Sequence, residues 1–170
     1  CQSPKSNCRR LYLHSATAGQ GMGKSTSLLQ DLSTNIMSIC PSQTPAVSII
    51  IPVFNDNKSL EICLLALTKQ TYPKQCYEII VIDNNSQEDV SLVVNRFEQA
   101  TLVHEPQPGS YIARNRGLSV AKGDIIAFTD ADCMPTPTWL EHGVSKLLSQ
   151  PNVGLVAGHI DLVAQDANNP

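Results

Sequence analysis

Four short aliphatic runs, rich in β-branched residues, constrain this chain more than any other feature. They are VSIIIPVF (47–54), YEIIVI (77–82), TLVH (101–104) and DIIAFT (124–129). Polar clusters such as Asn55-Asp56-Asn57 and Asp83-Asn84-Asn85-Ser86 bound them, which is the pattern of buried strands. Between the runs lie stretches with helical spacing. Leu60, Cys63, Leu64 and Leu67 mark residues 58–70, and further helices are predicted at 90–97, 111–122 and 138–149. The third has Ser110 placed as a cap and Gly123 just past its end. A fifth strand is expected at Val153–Ala157. Alternating strands and helices imply crossover units and a parallel sheet. Strands of nearly pure Ile, Val and Leu agree, because both faces of such a sheet are buried. Residues 46–170 therefore read as an α/β unit with a mostly parallel central sheet flanked by helices.

Residues 1–45 read differently. They are rich in Ser, Thr, Gln and Gly, with a weak apolar patch at Leu11–Leu13 and a short helix predicted near Leu28–Met37. The segment CPSQTP (40–45) looks like a linker. This stretch is expected to be poorly structured. A first residue of Cys and an ending in Asn-Asn-Pro suit a piece of a longer protein.

The charge balance, 12 basic against 15 acidic residues, gives no electrostatic footprint for nucleic acid or an anionic membrane. The longest apolar run, Ile49–Phe54, falls far short of the roughly 20 residues that span a bilayer. No basic-then-apolar leader opens the chain. Membrane association is thus expected only through segments outside it. Cys1, Cys8, Cys40, Cys63, Cys76 and Cys133 form no CxxC pair. Neither a disulfide framework nor a zinc site is expected, and a reduced cytoplasmic setting fits.

In an open parallel sheet, ligands collect beyond the carboxyl ends of the strands. Here those ends carry Phe54-Asn55-Asp56, Asp83-Asn84-Asn85-Ser86 and Asp130-Ala131-Asp132. Each cluster alone also suits an ordinary turn; their coincidence on one rim is the signal. Asp130 and Asp132, two apart as the chain leaves an apolar strand, can bring negative charge to one hard cation. Mg²⁺ or Mn²⁺ binds through one or two carboxylates plus substrate phosphates. A helix N-terminus behind Gly109 and Ser110 can receive an anion, with Arg114 as a fixed positive charge. Arg114 and Arg116 also suit a plain solvated helix face. Trp139, Leu140 and Val144 read as core and Cys133 as a packed thiol. The histidines His14, His104, His142 and His159 form no ligand spacing.

Four segments in order carry a resemblance: VSIIIPVFND (47–56), YEIIVIDNNSQED (77–89), PGSYIARNRGLSVAKGD (108–124) and IIAFTDADCMPTPTWL (125–140). Residues 47–163 resemble the N-terminal half of family 2 glycosyltransferases, inverting enzymes of the Rossmann-like GT-A fold. The resemblance implies a nucleotide-diphosphate-sugar donor, a divalent ion, and transfer to a hydroxyl on a glycan, lipid or other acceptor. By that likeness Pro52, Val53 and Phe54 would line the nucleobase pocket, and Asp83 and Asn84 would sit at the base and ribose. Many relatives carry a second Asp where this chain has Asn84, which leaves the base open. Arg114 would face the nucleotide, with Asn115 and Gly117 shaping the helix start. Asp130 would approach the ribose or metal, and Asp132 would be the direct metal ligand.

An inverting transfer also needs a base for the acceptor proton. In the family this carboxylate lies well after the Asp-x-Asp segment. Asp161 and Asp166 fall too early to match, so the base is expected beyond residue 170 and this chain to hold the donor-binding half. A rival reading takes Gly19–Ser25 as the phosphate loop of a P-loop NTPase, with EIIVID (78–83) ending in a magnesium-binding Asp. The strict motif wants Gly where Ala18 stands. That reading also leaves ARNRG and TDADC unexplained, and a flexible Gly/Ser-rich segment is the simpler account.

Overall fold

The computed structural model describes residues 9–12 and 44–161. Five strands form one parallel sheet: β1 (Arg9–Tyr12), β2 (Val47–Val53), β3 (Tyr77–Asp83), β4 (Ala100–His104) and β5 (Ile125–Phe128), in the order β1-β5-β2-β3-β4. The helices are α1 (Asn57–Leu67), α2 (Ser91–Val94), α3 (Ser110–Val120) and α4 (Trp139–Leu148). The α/β class and the parallel sheet agree with the sequence reading.

Strand periodicity divides the core in two, because successive side chains point to opposite faces. Val47, Ile49, Ile51 and Val53 of β2 join Ile79 and Val81 of β3 in one cluster with α1, α2 and α4. Ile50, Ile80, Ile82, Ile126 and Phe128 form the other, beneath α3. All of these are nearly solvent-free, which is why these strands read as unbroken apolar runs. The chain winds outward through β2, β3 and β4, then returns by α3 to place β5 on the far side of β2. The direction of winding reverses between β2 and β5, and it is beyond the strand ends at such a switch point that an open α/β sheet places its ligand crevice.

Four points differ from the sequence reading or add to it. Val153–Ala157 forms no strand. A strand needs a paired edge, and both edges of β5 are taken, one by β2 and the other by β1; Val153 and Val156 pack against the core instead. Second, β1 adds a strand within residues 1–45, most of which lie outside the described residues. Third, the helix predicted over 90–97 shortens to Ser91–Val94, the chain turning at Phe97 to enter β4. Fourth, Cys76 is buried and disulfide-bonded, against the expectation of reduced cysteines throughout. The predicted helix at 28–37 and the Gly19–Ser25 segment lie outside the described residues. No helix among the described residues is long and apolar enough to cross a membrane.

Candidate functional site

The crevice between β2 and β5 is flanked by two loops, and each is held by a buried amide. After β5, residues 129–138 lead into α4. Gln70, just past α1, is buried beneath this loop; its Nε2 donates to Thr136 O at 2.7 Å and its Oε1 accepts from Leu140 N at 3.0 Å. Thr71 N adds a bond to Pro137 O at 2.8 Å. Cys63 Sγ lies 3.6 Å from Asp130 O, which also accepts from Cys133 N at 3.1 Å. Burial first, then the neighbouring Cys133, Asp132 and Asp130, push the Cys63 thiol well above its ordinary value. That thiol is packing, as is the indole of Trp139.

Gln70 was not singled out from the sequence, since a neutral amide carries no motif. Replacing it with Leu keeps the volume but leaves Thr136 O and the buried Leu140 N without their partner. An unsatisfied buried group costs roughly 1–3 kcal/mol, so Gln70→Leu is expected to lower stability by about 2 kcal/mol in urea denaturation. An unchanged midpoint would show that water replaces the amide.

The two acidic residues of this loop part company. Asp130 Oδ1 accepts a close hydrogen bond from Arg114 of α3 in a half-buried ion pair. Asp132 is exposed, and among the described residues it is touched only by a long Cys133 Sγ contact at 3.8 Å. Arg114 thus gives one of its five N–H donors to Asp130, on the helix from which the sequence reading turns it toward a nucleotide. Asp132 is left as the free carboxylate of the turn. No group of three or more His, Cys, Asp or Glu among the described residues could hold a metal ion by itself.

After β3, Asp83 is the hub of a second cluster. Its Oδ1 accepts from Ser86 N at 2.9 Å and its Oδ2 lies 3.1 Å from His104 Nδ1 at the end of β4. The sequence reading gave His104 no role, because only the register of β3 on β4, Asp83 opposite His104, brings them together. Burial would raise the Asp83 pKa, but the Ser86 hydroxyl and N–H and then His104 outweigh it, and the carboxyl stays below its ordinary value. Such a group adds stability that is complete above its unfolded value, about 3.9. That stability is lost as pH falls through the depressed native value. The wild-type protein is accordingly expected to lose stability on acidification below about pH 4 more steeply than Asp83→Asn. Equal slopes in urea titrations across that range would remove Asp83 from the account.

Asn84 bonds within its own chain. It is buried, its Nδ2 donates to Glu105 O at 3.2 Å and Gln107 O at 2.6 Å, and its Oδ1 accepts from Gly109 N at 2.8 Å. Both amide donors are committed to main-chain carbonyls. Gly109, not Ser110, is the N-cap of α3, and it makes no side-chain cap. Its φ of +133° is open to glycine and costly for other residues.

The β2 end completes the rim. Pro52 and Val53 close the strand, Val53 buried, and Phe54 stands 60% exposed. Asn55, in a left-handed turn with φ 51°, ties this loop to the β3 loop through Ser86 and Gln87. Asp56 caps α1 by accepting from Ser59 N at 3.0 Å, so its carboxylate is structural. Tyr111, at the start of α3, is 68% exposed and Met134, in the loop after β5, 56% exposed. Neither is singled out by the sequence.

Comparison with known proteins bears on the family and the fold. The model of the family described as glycosyl transferase family 2 matches residues 48–169, which excludes the Gly19–Ser25 segment. The chain is 44% identical over 125 residues to glycosyltransferase AglE of Haloferax volcanii, covering 71% of this chain and 41% of that protein. Among solved structures, the mannosyltransferase PcManGT from Pyrobaculum calidifontis, in complex with GDP-Man and Mn²⁺, superposes with a TM-score of 0.58. The two are 29% identical, over 67% of this chain and 36% of that one. S. aureus TarS 1–349 in complex with UDP-GlcNAc superposes with a TM-score of 0.54 at 25% identity, over 59% of this chain and 30% of that one. The chain thus spans less than half the length of each of these relatives.

Proposed function

The chain belongs to glycosyl transferase family 2, and on that premise we propose that it binds a nucleotide-diphosphate sugar in the crevice between β2 and β5. In the complete enzyme the sugar passes to an acceptor hydroxyl with inversion. The observation that carries this reading is the division of labour after β5: Asp130 is neutralised by Arg114, and Asp132 alone is exposed with a free carboxylate. One free carboxylate beside a crevice is the protein share of a Mg²⁺ or Mn²⁺ site in which donor phosphates supply further oxygens. The donor set therefore fits the ion, with Asp132 as its ligand and Asp130 behind it. When bound, the ion neutralises charge that develops on the diphosphate leaving group.

The chain's own residues supply the rest. Exposed Phe54, beside Pro52 and Val53, offers a ring face for the base. Asp83, ionised and held by Ser86 and His104, lies at the same end of the sheet for the ribose. The complexes of PcManGT with GDP-Man and Mn²⁺ and of TarS with UDP-GlcNAc support a nucleotide-sugar donor and leave both bases open. The carboxylate that takes the acceptor proton is assigned to a part of the enzyme beyond residue 170, so this chain would be the donor-binding half. A cytoplasmic setting goes with the free thiols of Cys63 and Cys133, and the Cys76 disulfide is the observation against it.

Calorimetric titration with UDP- and GDP-sugars, with and without Mn²⁺, tests the reading. At least one donor is expected to bind in a Mn²⁺-dependent manner. Absence of binding across the panel with Mn²⁺ present would overturn it.

A further inference from the structure

Asn84 makes the most complete set of side-chain hydrogen bonds on the rim, and all of them run to one segment. Two donated bonds go to Glu105 O and Gln107 O and one accepted bond comes from Gly109 N. Its own backbone N–H donates to Val53 O at 2.9 Å, so the residue is also pinned to the end of β2. An amide has two donors and an acceptor with two lone pairs. Both its donors and one acceptor site are thus committed within the protein. Gly109, the residue it holds, accepts from the N–H groups of Ile112 and Ala113 and so starts α3, the helix that carries Arg114 to Asp130.

We propose that Asn84 is a positioning residue: its amide fastens the 105–109 loop, fixes the start of α3, and so sets Arg114 against Asp130 while Asp132 stays free for the donor. It does not read the nucleobase. A carboxylate at this position could still accept from Gly109 N but could donate to neither carbonyl, so the chemistry selects an amide. The binding consequence rests on the nucleotide-sugar reading above; the fastening itself does not.

Two variants and one independent measurement separate these. In Asn84→Leu the three bonds are lost. UDP and GDP are both expected to bind about tenfold more weakly in Mn²⁺, by the same factor, since a displaced start of α3 would weaken the Arg114–Asp130 setting by about the worth of one hydrogen bond. Amide exchange at Gly109 should accelerate by about tenfold or more, while β2 and β3 stay protected. In Asn84→Asp the introduced carboxylate faces two carbonyl oxygens, which raises its pKa. The charged and titratable groups around it are Asp83 beside it, His104 at the end of β4 and Glu105 in the loop, all present in the wild type as well. Relative to wild type at each pH, Asn84→Asp should bind nucleotide weakly near about pH 7.5 and recover toward about pH 5.5, as the protonated carboxyl regains a donor.

Three results overturn the proposal. One is loss of a single nucleotide with Gly109 still protected, which makes residue 84 a base reader. Another is unchanged binding and exchange in Asn84→Leu. The third is Asn84→Asp following the wild-type pH course throughout. If the wild type binds neither nucleotide, the nucleotide-sugar reading fails, and exchange at Gly109 alone then decides whether Asn84 fastens the loop.

Discussion

Replacing Asp132 with Asn is expected to abolish the Mn²⁺ dependence of nucleotide-diphosphate binding and weaken binding in Mn²⁺ by about a hundredfold, equivalent to roughly 2.7 kcal/mol. The substitution keeps shape and volume and removes only the charge. Asp132 is exposed and makes no tight contact within the described residues, so the fold should not register the change. A neutral amide oxygen is a far poorer ligand for a hard cation than a carboxylate. Asp130→Asn is the informative contrast. Asp130 is paired with Arg114, so that variant is expected to loosen α3 and lower affinity with and without metal alike. Titrating UDP- and GDP-sugars into both variants with Mn²⁺ and with chelator distinguishes them. Retention of the full Mn²⁺ effect in Asp132→Asn would refute the metal assignment.

The second large effect lies at the opposite end of the sheet, where α3 returns to β5. A Cβ built on Gly123 would stand 2.5 Å from Ser48 N, 2.8 Å from the carbonyl carbon of Val47 and 2.9 Å from Ala46 O. All three are backbone atoms of the β2 entry, which cannot rotate away as a side-chain tip could. The same contact is held by hydrogen bonds: Gly123 N donates to Ser48 Oγ at 2.8 Å, and Lys122 N to Glu78 Oε1 at 2.8 Å. Ser48, fully buried, in turn donates to Glu78 at 2.6 Å. Gly123→Ala must push β2 and the α3–β5 connection apart and stretch these bonds. Overpacking costs roughly 1–3 kcal/mol and each weakened hydrogen bond about 1 kcal/mol, so a loss of about 3 kcal/mol or more is expected. Urea denaturation with an unchanged m-value would measure it. A loss under about 1 kcal/mol would mean that the connection shifts freely. Gly117→Ala is similarly crowded, because its Cβ would overlap Cγ2 of Ile50, a fully buried β-branched side chain that is stiff at χ1, and the gain of about 1 kcal/mol in helix propensity only partly offsets the overpacking.

The strands from β2 to β5 were legible because each is buried on both faces and writes its burial as an aliphatic run. The two runs that misled did so for one reason. Val153–Ala157 looks like a strand, but strandhood needs an open edge, and β1 pairs with the edge of β5 that was free. No local pattern in Arg9–Tyr12 announces that pairing. The site shows the same division. Asp130, Asp132, Asp83 and Phe54 were found because they follow aliphatic runs. Gln70 and His104 were not, since their meaning lies in partners that stand 66 and 21 positions away. Cys76, one of six cysteines without a paired motif, likewise gave no sign of its disulfide.

By itself the sequence determined the α/β class, the strand ends that form the rim, and the acidic and amide character of that rim, because burial and turn chemistry are written locally. Only the tertiary structure decided how those polar groups are spent. Arg114 neutralises Asp130, Asn84 and Gln70 hold the two loops, and Asp132 is left over. Hydrogen bonds are short and directional, so which donor meets which acceptor is fixed by the register of strands and the seating of helices, and a linear order of residues does not contain it.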